Sequence, residues 1–221
     1  MCRYKKIDLE NWCRKEHYLY YTNSLNVEVN MTANIDVSEL LSFCHTNGYK
    51  FYPTLIYCVT KVLNRIENFK MFKDKNGDLC VWDSLVPNYT IFHEEDHTFS
   101  DCWTDFTDDF GSFYKNITSD MELGKTKRGI KVKSGQPANF YCVSCTPWTT
   151  FTAVSSRMVN GGAAFFPIIT AGKYDDNYQM PVNITIAHAV ADGYHIGLFF
   201  EYLQKEISKE YFCLLYTSPS P

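Results

Sequence analysis

The chain has 221 residues, 45% hydrophobic, 16% aromatic and 21% charged, with a formal net charge of −4. That composition belongs to a folded globular protein and excludes a disordered one, and the interspersed charge excludes the basic footprint of a nucleic-acid binder. No apolar run approaches the ~18 residues of a membrane span and the N-terminus lacks the apolar core of a secretory signal, so the expectation is a cytoplasmic protein without a membrane partner.

In chain order, Asp36-Val37-Ser38-Glu39 followed by Leu40, Leu41 and Phe43 predicts a capping box opening an amphipathic helix that Gly48 closes. Pro53 then leads a second helix with Leu55, Ile56, Val59, Val62, Leu63 and Ile66 on one face. Asn76-Gly77 marks a hairpin turn followed by a strand over 79–82, and alternation over 88–93 predicts another. The acidic segment 106–121 has aromatics at helical spacing and predicts a surface helix. Residues 124–136 carry five Lys or Arg and three Gly, so they read as a solvated loop, with phosphate contact as the alternative. Three β-rich runs follow over 140–144, 165–174 and 182–189. A last helix over about 194–209 has Leu198, Phe199, Tyr202, Leu203 and Ile207 on one face.

No repeat or low-complexity linker divides the chain. The order predicts one domain over residues 1–209, α+β or a mixed α/β sandwich, and the reading adopted is α/β: a mixed sheet with helices in two layers. Residues 213–221 resemble the translation of a sequencing-library adapter and are expected to be a non-native tail.

The sharpest chemical feature is Ala187-His188-Ala189-Val190-Ala191-Asp192-Gly193-Tyr194-His195, at the end of an alternating strand and just before the last helix. A strand-to-helix turn containing Gly193 is expected to hold His188 strained and exposed at the sheet edge. Histidine titrates near neutral pH and therefore suits a general base. The H-x-x-x-D-G pattern alone is weak, and a buried, hydrogen-bonded histidine is the alternative.

Nine cysteines, an odd number without a spacing framework, read as reduced thiols. Cys142-x-x-Cys145 has redox or metal spacing, but it lies on a strand leading into Pro147, with no second cysteine pair to complete a zinc site. No metal is expected.

The context of His188 sharpens its reading. Its segment resembles the H-H-A-V-C-D-G-F-H signature of type A chloramphenicol acetyltransferases. Other segments match that family in the same order: Trp12 to His17, Tyr49 to Pro53, Val81 to Ser84, Tyr89 to His93, Thr98 to Ser100, Val143 to Trp148 and Pro167 to Tyr174. The resemblance runs from about residue 4 to 209.

The resemblance implies a CoA-dependent acyltransferase fold and direct transfer from acetyl-CoA, as co-substrate, to a hydroxyl of chloramphenicol, with no acyl-enzyme. His188 matches the general base, Ser144 a hydrogen-bond donor to the oxyanion, and Thr170 a residue that holds a water there. Asp192 matches an aspartate that pairs with the counterpart of Arg14 and shapes the site. His195 has no catalytic counterpart and reads as a helix-start or packing residue. Tyr21, Leu25, Val29, Phe99, Val154 and Ser156 correspond to the acceptor pocket. Lys50, Lys173 and Tyr174 correspond to positions near the CoA nucleotide. The family's assembly implies a homotrimer in which His188 faces a neighbouring subunit's pocket.

The chain departs from the family at Ala187 and Ala191, and more consequentially in the pocket. Val29 and Val154 replace aromatics and Ser156 replaces leucine, which widens it. The function that the resemblance implies is O-acetylation that inactivates chloramphenicol and confers antibiotic resistance. The alternatives are the same chemistry on another hydroxyl or thiol acceptor, and a non-catalytic homologue that binds the drug or CoA.

Overall fold

The computed structural model describes residues 3–157 and 162–208; the expected 213–221 tail lies outside the described residues. Nine strands are present among them: β1 (Tyr4–Lys6), β2 (Glu28–Asp36), β3 (Met71–Lys73), β4 (Leu79–Trp82), β5 (Val86–His93), β6 (Thr98–Trp103), β7 (Phe140–Thr146), β8 (Ile168–Gly172) and β9 (Gln179–Ala187). The helices are α1 (Lys15–Tyr20), α2 (Ser38–Asn47), α3 (Phe51–Arg65), α4 (Phe110–Lys125) and α5 (Gly193–Glu206).

Six strands form the main sheet in the order β2-β9-β8-β7-β5-β6, and β1-β4-β3 form a small second sheet. β7 runs parallel to both β5 and β8, while the remaining pairs are antiparallel, so the main sheet is mixed. Side-chain alternation gives it two unlike faces. Val182, Ile184 and Ile186 on β9, Val143 on β7 and Tyr89 on β5 enter the apolar core. α3, α4 and α5 cover that face, with α2 beside α3. The intervening residues, among them Asn183, Thr170, Ser144 and Asn88, look the other way.

α3 shows why the helical layer holds. Leu55, Ile56, Val59, Val62 and Leu63 are all essentially inaccessible, each contributing roughly 1.5–3 kcal/mol by burial. Glu206 near the end of α5 is buried as well, and reaches Lys61 at 3.0 Å and Arg65 at 2.8 Å on α3.

Several local expectations change. The capping box at Asp36 does not close. Asp36 Oδ1 accepts from the Ser38 N–H at 2.9 Å, but the Asp36 N–H goes to Gln204 Oε1 on α5 at 3.0 Å, a tertiary partner in place of Glu39. Gly48 does end α2, in the left-handed region at φ 70°. α4 starts later than the aromatic spacing predicts because Asp109 caps it, accepting from the Ser112 N–H at 2.8 Å. Phe106 stays outside the helix and packs on Tyr57 and Phe113.

The basic loop after α4 uses its charges locally, with Lys131 on Asp101 and Lys133 on Asp120, both at 2.8 Å. The seven described cysteines are free thiols. Cys142 and Cys145, three apart on β7, point to opposite faces, and burial pushes both thiols up to about 11. Among the described residues, no helix is long and apolar enough to cross a membrane.

Candidate active site

His188 lies one residue beyond β9. Its backbone N–H donates to the Val27 carbonyl at 2.8 Å, which fixes the chain as it leaves the sheet. Its ring stacks on Tyr21, with centroids 3.9 Å apart and planes 9° from parallel. Tyr21 opens a π-helical turn, Tyr21–Leu25, that Asn26 closes by donating to the Tyr21 carbonyl at 3.1 Å. Such turns recur at functional sites because the extra residue re-aims a side chain. The strain expected of the strand-to-helix turn is absent: neither His188 nor Gly193 adopts a positive φ. Gly193 is simply the first residue of α5, and His188 is half-buried.

His188 Nδ1 is buried without a hydrogen-bond partner among the described residues. Arg14 Nε and Arg14 Nη2 share that condition. Unspent buried polar atoms are rare, and these gather about the start of α1 and the histidine stacked on its turn.

Asp192 organises the next turn of chain. One carboxylate oxygen pairs with Arg14 Nη1. The other accepts from the Tyr194 N–H at 3.0 Å and lies 2.9 Å from His195 Nδ1. His195 thus belongs to the N-terminal cap of α5. Burial pushes the Asp192 carboxyl up, but hydrogen bonds from Arg14 and His195, with their charges, outweigh it and bring it down to about 2.

Ser144 and Thr170 are register partners on β7 and β8, and Thr170 faces Asn183, which faces Thr32. They form a polar row on the face turned away from the helices. Asn183 Nδ2 donates to Asn30 Oδ1 at 2.8 Å and Thr32 Oγ1 at 3.1 Å, which stiffens that row. His188 instead follows the alternation of Ile184 and Ile186 and reaches Tyr21, which packs on the core. Within one chain, the histidine and the Ser144–Thr170 pair therefore stand on opposite sides of the sheet.

The main sheet opens between two of its strands. β5 and β7 pair only as far as Tyr89 opposite Val143, although β5 continues to His93 and β7 to Thr146. Where they splay, a cavity of about 480 Å³ opens. It lies at the carboxyl ends of parallel strands, where sheets of this kind commonly bind ligands. Tyr52, Thr90, Phe92, Cys145 and Trp148 line it, with Met121, Glu122 and Lys125 from α4. The Tyr52 hydroxyl donates to the Val143 carbonyl at 3.3 Å, and burial pushes its phenol up. Trp148 is 63% exposed and meets Phe92 edge-on at 4.6 Å. Lys50 also lines the cavity and reaches Glu122 at 2.8 Å; Lys125 meets the same carboxylate at 3.1 Å.

The remaining residues singled out from sequence fall into separate groups. Tyr174, after β8, packs against Phe51 on the cavity wall at 6.3 Å. Lys173 beside it is exposed, its backbone N–H donating to Thr149. Leu25 ends the turn that carries Tyr21, and Val29 pairs with Ile186, so both belong with His188. Phe99 sits opposite Phe92 on the face of Ser144. Val154 and Ser156 lie in an irregular segment beside Ser155 and Arg157, which line a polar cavity with Asn26 and Glu28. Sequence reasoning gave no role to Tyr52 or Trp148, although both lie in the matched segments. Phe92 lies in a matched segment too and Lys125 in the loop weighed for phosphate contact, but the gap that unites them arises from strand divergence.

Comparison with known proteins identifies the family. A sequence profile of the chloramphenicol acetyltransferase family matches residues 2–204. The chain is 39% identical to a chloramphenicol acetyltransferase of Clostridium perfringens, covering 95% of this chain and 96% of that one. It is 38% identical to one of Staphylococcus aureus, covering 91% and 94%. Among solved structures, a chloramphenicol acetyltransferase superposes with a TM-score of 0.78 at 22% identity over 94% of this chain and 99% of that one. The dihydrolipoamide acetyltransferase of Azotobacter vinelandii superposes with a TM-score of 0.65 at 14% identity, covering 90% and 88%, and shares the fold. With a profile spanning nearly its whole length and close relatives across the same span, the chain belongs to the chloramphenicol acetyltransferase family.

Proposed function

We propose that this protein is an acyltransferase that moves the acetyl group of acetyl-CoA directly to a hydroxyl of chloramphenicol. The observation that carries the reading is the unspent Nδ1 of the His188 imidazole, its ring held by Tyr21 at the end of the family's signature strand. His188 takes the proton of the acceptor hydroxyl, and the oxygen attacks the thioester carbonyl. Ser144 donates to the resulting oxyanion, an interaction worth roughly 3 kcal/mol of barrier. Collapse expels the CoA thiolate, which recovers the proton from the imidazolium. Asp192 is engaged by Arg14 and the α5 cap, so it shapes the turn and relays no proton.

The splayed gap between β5 and β7 suits the acyl donor. An extended arm entering beside Lys50, Trp148 and Tyr174 would deliver its thioester toward Ser144. Because His188 and Ser144 occupy opposite faces of one sheet, the reaction is assigned to the junction of two copies, in the homotrimer that the family resemblance implies. A second reading keeps the chemistry and changes the acceptor. It is favoured by Val29 and Val154, small where the family is aromatic.

The test follows CoA thiol release from acetyl-CoA, with and without chloramphenicol, for the wild type and His188→Ala. Drug-dependent release that falls on the order of 10³-fold in the variant supports both reaction and base. Near-normal turnover in His188→Ala overturns the mechanism. Release only with other hydroxyl or thiol compounds moves the proposal to the second acceptor class.

A further inference from the structure

Behind one wall of the β5–β7 cavity lies a buried polar chain that the acyl-transfer chemistry does not use. His93, the last residue of β5, is 2% exposed, and Ser100 on β6 is fully buried. Ser100 Oγ donates to the Gly129 carbonyl at 2.6 Å. Its one proton is therefore spent, so in the 2.8 Å contact with His93 Nε2 the ring nitrogen is the donor. That leaves a lone pair on Nδ1, and Arg128 Nη1 donates into it at 3.1 Å.

The same guanidinium gathers three pieces of chain. Nη1 also donates to the Lys125 carbonyl at 3.0 Å, Nη2 donates to Glu95 Oε2 at 3.0 Å, and Nε lies 3.5 Å from Asp96 Oδ2. Arg128 thereby joins the end of α4 to the β5–β6 turn. Both carry cavity wall: Lys125 comes from α4 and Glu94 from the turn. An independent feature sits beside it. At Gly124 a Cβ would fall 2.3 Å from Ile91 Cδ1, so the last turn of α4 is pressed directly onto β5.

We propose that His93 and Arg128 are positioning residues for the acyl donor: neutral His93 anchors Arg128, and Arg128 sets the spacing of Lys125 and Glu94 across the cavity mouth. The proposal rests on the reading of this cavity as the donor channel. Neither residue touches a reacting atom, so their influence falls on donor binding and leaves the chemical step alone. The Nδ1 bond also requires an uncharged ring, since a protonated His93 would present a second cation to the guanidinium.

Arg128 has a 44% exposed side chain, so its replacement leaves the core intact where a change at His93 risks the fold. In the full-length protein, Arg128→Met is expected to raise the KM for acetyl-CoA roughly tenfold, with kcat and acceptor KM unchanged. Arg128→Lys, which keeps charge but not the fork, is expected to recover part of the loss. CoA titration followed by Trp148 fluorescence, with Trp148→Phe as control, separates the channel reading from the positioning role. No Trp148-dependent response in the wild type overturns the channel reading and this proposal with it. A normal response with unchanged CoA affinity in Arg128→Met overturns the positioning role alone, as does a fall in kcat at constant donor KM.

Discussion

Arg14 and Asp192, 178 residues apart, form an ion pair that fastens the start of α1 to the start of α5. The arrangement makes Asp192 a joint between the two elements flanking His188, because its other oxygen caps α5 at the Tyr194 N–H. Arg14 is only 14% exposed, and two of its three guanidinium nitrogens already lack partners among the described residues. Asp192→Ala would strand that cation and remove the cap, costing about 3 kcal/mol and about 1 kcal/mol respectively. Asp192→Asn keeps an oxygen for the cap and should lose less. Urea unfolding of both variants checks the order; equal losses would show that the cap contributes nothing.

The same carboxyl sets an acid dependence. Burial raises its pKa, but Arg14 and His195 lower it further, to about 2 in the folded protein, against roughly 3.9 in an unfolded chain. A folded-state value below the unfolded one gives stability that is complete above about pH 4 and fades as pH falls toward 2. The share is about 2 kcal/mol, with the Asp192 side chain 28% exposed. Thermal unfolding from pH 5 to pH 2 should show a steeper decline for the wild type than for Asp192→Asn. Parallel curves would remove Asp192 from the acid response.

Opposite placement of His188 and Ser144 makes a sharp prediction about mixtures. Chains carrying His188→Ala and chains carrying Ser144→Ala should each be nearly inactive alone. If every site takes its histidine from one copy and its serine from the next, unfolding and refolding an equal mixture creates intact sites. Random assembly gives about a quarter of wild-type activity, the product of two independent halves. Activity no higher than the mean of the two separate variants would place both groups in one chain's site.

How far the sequence reveals this molecule depends on where the signal lies. α3 is legible because its apolar face is continuous, and the His188 turn because its residue types are unusual together. β2 escapes: Glu28–Asp36 is largely polar, and its strand character comes from nine register partners on β9, a contact about 150 residues distant in sequence. α1 and its π-turn escape too, because six residues carry little helical periodicity and the extra residue breaks even that. The candidate site divides along the same line. His188, Ser144 and Thr170 are recognisable from motifs. That two of them stand on the opposite face from the third follows only from register, and the channel follows from where β5 stops pairing with β7.

The proposed acceptor pocket is open to test at Val29. Val29 is half-buried on β2 and pairs with Ile186, two residues before His188, so its side chain lies on the histidine's side of the strand. A phenylalanine there would extend beside the Tyr21–His188 stack and restore an apolar wall that the family resemblance leads one to expect. One added aromatic contact is worth on the order of 1 kcal/mol, so Val29→Phe should lower the chloramphenicol KM about fivefold. Acetyl-CoA KM should hold steady, because Val29 is not among the residues that line the proposed donor channel. If chloramphenicol KM rises while another hydroxyl acceptor is lost as well, the smaller valine is itself the adaptation. The open space would then belong to a bulkier acceptor that needs it.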